Sequence, residues 1–64
     1  TLSERELQIL KMAAEGIGNT EIAKALFISP RTVESHKARI MKKLELKTMA
    51  DLIKYAIKNN IVEI

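Results

Sequence analysis

Sixty-four residues suffice for one small domain, and at that size only roughly 60% of the unfolded chain's surface is buried on folding. The absence of cysteine excludes a disulfide staple and a thiolate metal site, and no apolar run approaches the ~20 residues that span a bilayer. The net charge of +3 is modest but concentrated: residues 30–47 carry six Lys/Arg against two Asp/Glu, residues 1–29 three against four, and residues 48–64 two against two.

One Tyr, one Phe and no Trp leave Leu, Ile, Val, Met and Ala to fill the core, a composition that favours helices over strands. The first helix opens at Ser3, an N-cap with Glu6 three residues on, which is the capping-box spacing. Leu2 and Leu7 stand at the staple positions around it. Its apolar set is Leu7, Ile9, Leu10, Met12, Ala13 and Ala14, and Gly16 is placed to end it in a left-handed cap. The second helix starts near Gly18-Asn19-Thr20 and runs to about Leu26, turning Ile22, Ala23 and Leu26 inward. Only Phe27, Ile28 and Ser29 separate it from the third. Pro30 disfavours helical geometry at Ser29, as an N-cap requires, and itself suits the first helical position. A helix of about eight residues, a three-residue turn and a longer helix have the spacing of a helix-turn-helix. That spacing also occurs in ordinary helical hairpins. The third helix ends around Leu44-Glu45. Thr48 with Asp51 then opens a fourth, which runs through about Lys58 and stops at Asn59-Asn60.

The third helix, from Pro30 to Leu44, has two opposed faces. Val33, Ile40 and Leu44 form an apolar stripe with Met41 beside it. Arg31, Ser35, Ala38, Arg39 and Lys42 lie opposite, with Glu34 at their border. The exposed side is small in its middle and basic at its margins. Such a helix can enter a groove of duplex DNA, short side chains near base edges and cations near phosphates. A solvated basic helix with no ligand is the plainer reading of the same charges.

With the turn and third helix placed, the chain closely resembles the LuxR-type helix-turn-helix domain, especially its response-regulator (NarL/FixJ-like) branch. The resemblance is carried by Leu2-Ser3-x-Arg5-Glu6, by Gly16-x-x-Asn19-x-Glu21-Ile22-Ala23, by Leu26-x-Ile28-Ser29-x-x-Thr32-Val33-x-x-His36 and by Ile40-x-x-Lys43-Leu44. It covers essentially the whole chain. It implies an all-α, four-helix DNA-binding domain over residues 1–64 with the third helix as reader. It also implies a C-terminal output module of a longer, cytoplasmic bacterial regulator, behind a receiver domain phosphorylated on aspartate or a ligand-sensing domain. A chain that starts at Thr1 rather than Met fits a piece of something longer. Two positions depart from the family pattern: Gly18 stands where a capping Ser is common, and Met49 where many members carry Arg.

Helix geometry and the matching family positions together point to Glu34, Ser35 and Ala38 as base-edge residues. Glu34 can accept from cytosine N4, Ser35 is adaptable, and Ala38 can touch a thymine methyl. For Glu34 the alternative is a first-turn acid that favours the helix N-terminus. The expected backbone clamps are Arg31, Lys37, Arg39 and Lys42, with Asn19, Thr20 and Thr32 adding neutral donors. Lys37 lies nearer the apolar stripe, with a stem that can pack while its ammonium reaches outward. Lys43 reads as a solvated lysine. Arg5 reads either as an ion-pair partner of Glu6 or Glu21 or as a surface charge of little weight. His36, without a second His or any Cys, reads as a packed histidine bonded to a neighbouring helix rather than as a ligand or catalyst.

On the fourth helix Met49, Leu52, Ile53, Ala56 and Ile57 cover an arc of roughly 140°, with Ala50 at its edge, wider than the stripe of about 100° that one core contact requires. Part of that arc is expected to meet a partner, and the resemblance implies a homodimer contact there through Met49, Ala50, Ile53 and Ile57. The alternative puts the whole arc in the core, completed by Ile61, Val62 and Ile64. Two-fold pairing would space half-sites about 10 base pairs apart or a multiple of that. The expected partner is double-stranded DNA, with no cofactor, no metal and no membrane. A helical module whose basic face meets an acidic protein is the alternative function. An enzyme is the most remote, since no nucleophile motif or metal cluster is present.

Overall fold

A computed structural model describes residues 2–62. Four helices follow in order: α1 (Glu4–Ala14), α2 (Asn19–Leu26), α3 (Pro30–Lys43) and α4 (Met49–Lys58). Their starts follow the cap chemistry. Ser3 and Thr48 each close a reciprocal capping box, with Glu6 and Asp51. The Ser29 hydroxyl accepts from the Thr32 amide at 3.1 Å, with Pro30 as the first helical residue. Gly18 caps α2 without any side-chain hydrogen bond, as a residue with no side chain must.

The ends share one device. After α1, the amides of Gly16 and Ile17 donate back to Ala13 O (3.0 Å) and Met12 O (3.1 Å). That is the double reverse bond of a Schellman turn, with Gly16 at φ +88°. The same pair of bonds recurs after α2, α3 and α4, where Phe27, Glu45 and Asn60 occupy the left-handed position. Each turn is followed by an apolar residue (Ile17, Ile28, Leu46 or Ile61), and all four pack on the central core. Burying that residue offsets a left-handed Cβ, which costs roughly 1–2 kcal/mol.

The helix α1 is the hub of the domain and packs against each of the other three, while α2 and α3 pack on each other. The core is aliphatic: Ile9, Leu10 and Ala13 from α1, Ile22 and Ala23 from α2, Val33 and Ile40 from α3, and Leu52 from α4. Ala56 and Val62 are also buried. Leu7, one of the apolar set of α1 and its staple residue, is 44% exposed. Of the residues thought able to complete the core behind α4, Ile61 packs on it and Val62 is buried, whereas Ile64 lies outside the described residues.

Candidate nucleic-acid interface

Val33 and Ile40 are fully buried and fasten one side of α3 to the domain. The opposite side is open: Arg31, Glu34, Ser35, Ala38, Arg39 and Lys42 are all exposed. Lys37 is half-buried, as a stem lying on the apolar margin would be. Among the described residues none of Arg31, Lys37, Arg39 and Lys42 takes part in an ion pair. Their charge is held in no direct ion pair, and Glu34 is the acid that shares this face. At 14 residues, α3 is about 21 Å long at 1.5 Å per residue. A helix of 10–12 Å diameter matches a major groove of about 12 Å.

The neutral candidates differ in how free they are. Thr20 is exposed at the start of α2. Asn19 is half-buried, with its Oδ1 buried and unpartnered. Thr32 is half-buried and engaged in its own cap, its hydroxyl 2.9 Å from that of Ser29. Glu34 is the fifth residue of α3, past the first turn, which carries no acid. The helix dipole acts mainly within that first turn, so the reading of Glu34 as a dipole-favouring acid loses its basis.

Three sequence readings change. Lys43 is not a solvated lysine: its Nζ donates to Glu6 Oε1 at 2.8 Å, tying the last turn of α3 to the first turn of α1. Glu6 is almost wholly buried, and the same oxygen accepts from the Ser3 amide at 2.9 Å. Arg5 pairs with neither Glu6 nor Glu21. Its Nη1 donates to Leu26 O at 3.4 Å, and Glu21 lies 3.8 Å from Lys24. His36 is half-buried as expected, but its Nδ1 is buried without a hydrogen-bond partner, so the bond to a neighbouring helix is not made through that nitrogen.

The Lys43 ammonium, helped by the Ser3 amide, lowers the Glu6 carboxyl from its ordinary 4.5 to about 2. The amides of Lys47 and Thr48 hold Asp51 below its usual range. Both groups bind protons more weakly when folded than when unfolded, so their contribution is full above the unfolded values and falls away in acid, for Glu6 as pH drops from about 4.5 towards 2. Lys43→Met removes the strongest of these interactions. The acid-unfolding midpoint followed by circular dichroism is expected to rise, and an unchanged midpoint would show that the pair contributes nothing.

On α4 the core takes Leu52 and Ala56. Tyr55, absent from the sequence-based core, also packs there, whereas Ile53 and Ile57 are half-buried without joining that cluster. Met49 is 44% exposed and Ala50 is exposed. The four residues expected at a partner contact therefore lie outside the core.

Among the described residues there is no group of His, Cys, Asp or Glu able to hold a metal ion, and no helix long and apolar enough to cross a membrane. A shallow depression on the outer side of α1, lined by Glu4, Leu7, Gln8, Lys11, Asn60 and Ile61, involves no residue of α3.

The family described as bacterial regulatory proteins, luxR family, matches residues 1–56. The chain is 52% identical over 62 residues to the oxygen regulatory protein NreC of Staphylococcus carnosus, covering 97% of this chain and 29% of that protein. It is 53% identical over 62 residues to NreC of Staphylococcus aureus, with the same coverage. The chain thus spans under a third of the length of these relatives. It belongs to the luxR family of bacterial regulatory proteins, as an all-α DNA-binding domain of transcription regulation and not an enzyme.

Proposed function

We propose that this domain reads duplex DNA sequence-specifically, with α3 in the major groove, α2 bracing it across the backbone and α4 pairing two copies on adjacent half-sites. Glu34, Ser35 and Ala38 meet base edges. Arg31, Lys37, Arg39 and Lys42 hold phosphates, with Asn19, Thr20 and Thr32 as neutral donors. Among these last, Thr20 is the freest, since Thr32 is shared with its cap. The observation that carries the reading is the exposed side of α3: two short residues, Ser35 and Ala38, flanked by cations held in no ion pair, on a helix pinned from behind by Val33 and Ile40.

The homodimer contact uses Met49, Ala50, Ile53 and Ile57, an apolar set that the core leaves out. The domain is the output part of a longer cytoplasmic regulator, and the share of the relatives' length that it spans leaves room for a receiver or ligand-sensing domain. The relatives' name, oxygen regulatory protein, suggests control of transcription by an oxygen-linked signal through such a domain.

Selection of bound duplexes from a random pool, repeated at two salt concentrations, tests the reading. The expected product is one enriched motif, present twice at a centre-to-centre spacing of about 10 base pairs or a multiple. A pool with no enrichment at either salt would leave only charge-driven binding and contradict the proposal. Glu34→Gln or Ser35→Val should change the preferred base at one position of the motif, worth about 1–3 kcal/mol of discrimination. An identical motif would remove those residues from the base-edge set.

A further inference from the structure

Phe27 is poorly suited to its position on two separate counts. Its φ of +58° is left-handed, a conformation that glycine or asparagine adopts with far less strain. It is also 94% exposed, so its ring packs on almost nothing within the chain. The turn itself is fixed by the bonds of the Phe27 and Ile28 amides to Lys24 O and Ala23 O and by the burial of Ile28, none of which needs an aromatic ring. An exposed ring held in a strained turn is a surface offered to something else.

Its surroundings indicate what that is. Phe27 stands two residues before Ser29, the N-cap of α3, and four before the exposed and unpaired Arg31. The Arg5 guanidinium sits 3.4 Å from the carbonyl of Leu26, the residue immediately before Phe27. The acid of α2, Glu21, lies against Lys24, and the first turn of α3 contains no acid. A turn flanked by arginines and continuous with the open side of α3 favours a phosphate chain over an apolar or basic protein surface. Between successive phosphates a deoxyribose presents C–H edges on which a phenyl ring can pack.

We propose that Phe27 is a DNA-contacting residue, making an apolar contact to the sugar edge of the strand that passes the turn. The inference rests on α3 being the groove helix, and its test separates the two. Phe27→Asn suits the left-handed turn at least as well as phenylalanine, so a loss of binding cannot be put down to unfolding, and thermal melts check this directly. Phe27→Leu restores part of the apolar surface. The 64-residue chain, both variants and Arg39→Ala are titrated onto a duplex taken from the random-pool selection, over about 50–200 mM salt.

Phe27→Asn is expected to weaken binding about five- to tenfold at every salt with the slope unchanged, because an apolar contact releases no counterion. Phe27→Leu should recover part of the loss. Arg39→Ala should instead lower the slope. If Phe27→Asn binds like the parent while Arg39→Ala is weakened, the Phe27 contact is overturned and α3 remains the reader, with the ring left for a protein partner. A Phe27→Asn loss that vanishes at high salt also overturns it, since the role would then be ionic. If the parent shows no preference for the selected duplex over a scrambled one, the groove reading falls and takes this contact with it.

Discussion

Ile40→Ala is expected to destabilise the domain by about 2–5 kcal/mol, the usual cost of truncating a buried isoleucine. Ile40 is fully buried on the inner side of α3, in the cluster it shares with α1, α2 and α4. A chain of 64 residues has a total stability of roughly 3–10 kcal/mol at typical values per residue, so one substitution can remove most of it. Urea unfolding followed by circular dichroism should show the midpoint falling with little change in slope. DNA binding should decline in proportion to the unfolded fraction. Arg39→Ala, one residue away on the open side, should leave stability within about 0.5 kcal/mol. If the two substitutions destabilised equally, α3 would not have the pinned and open sides described for it.

The second large effect is electrostatic. Replacing Arg31, Arg39 and Lys42 together by alanine removes from the open side of α3 three cations that form no ion pair. Each phosphate contact contributes about 0.9 to the slope of log K against log salt, so the triple variant should lose roughly 2.7 units of slope. At about 0.1 M salt that is a loss on the order of several hundredfold, applied nearly equally to selected and scrambled duplexes. Fluorescence anisotropy at four or five salt concentrations measures it. A slope equal to the parent's would mean that these side chains do not touch phosphates, whatever their exposure.

Much of the fold was legible because the starts of the helices are written in short-range chemistry. Ser3 with Glu6, Ser29 with Thr32 behind Pro30, and Thr48 with Asp51 each fix a start through bonds spanning three residues, at the N-caps the sequence indicates. The ends were harder to read. Gly16 announces its turn, whereas Phe27 and Glu45 adopt the same left-handed geometry without a glycine. The signal there is not the strained residue but the apolar one after it. Ile17, Ile28, Leu46 and Ile61 stand five residues beyond Met12, Ala23, Met41 and Ala56, whose carbonyls their amides reach. That spacing is visible in the sequence to a reader looking for it.

The candidate face of α3 was equally accessible, since about half a helical turn separates Val33 from Ser35 and Ile40 from Ala38. The fate of individual charges was not. Lys43 and Lys42 are neighbours of the same type, yet one reaches Glu6 across 37 positions of sequence and the other stays open. Only the packing of α1 against α3 decides between them. Arg5 shows the same limit: its partner is a backbone carbonyl at the end of α2, which no charge pattern reveals. On α4 the width of the apolar arc indicated a surplus, but which residues the core would take depended on how that helix packs against α1.

The most direct measurement is amide chemical-shift mapping of the 64-residue chain with a selected duplex and, separately, with a scrambled one. The geometry predicts that the selected duplex shifts a continuous set of amides from Phe27 through Lys42 together with those at the start of α2. The scrambled duplex should move the cation-bearing positions but leave Ser35 and Ala38 nearly still. Were the shifts to fall instead on the outer side of α1, around Leu7 and Lys11, with α3 silent, the open side of α3 would not be where this protein meets DNA.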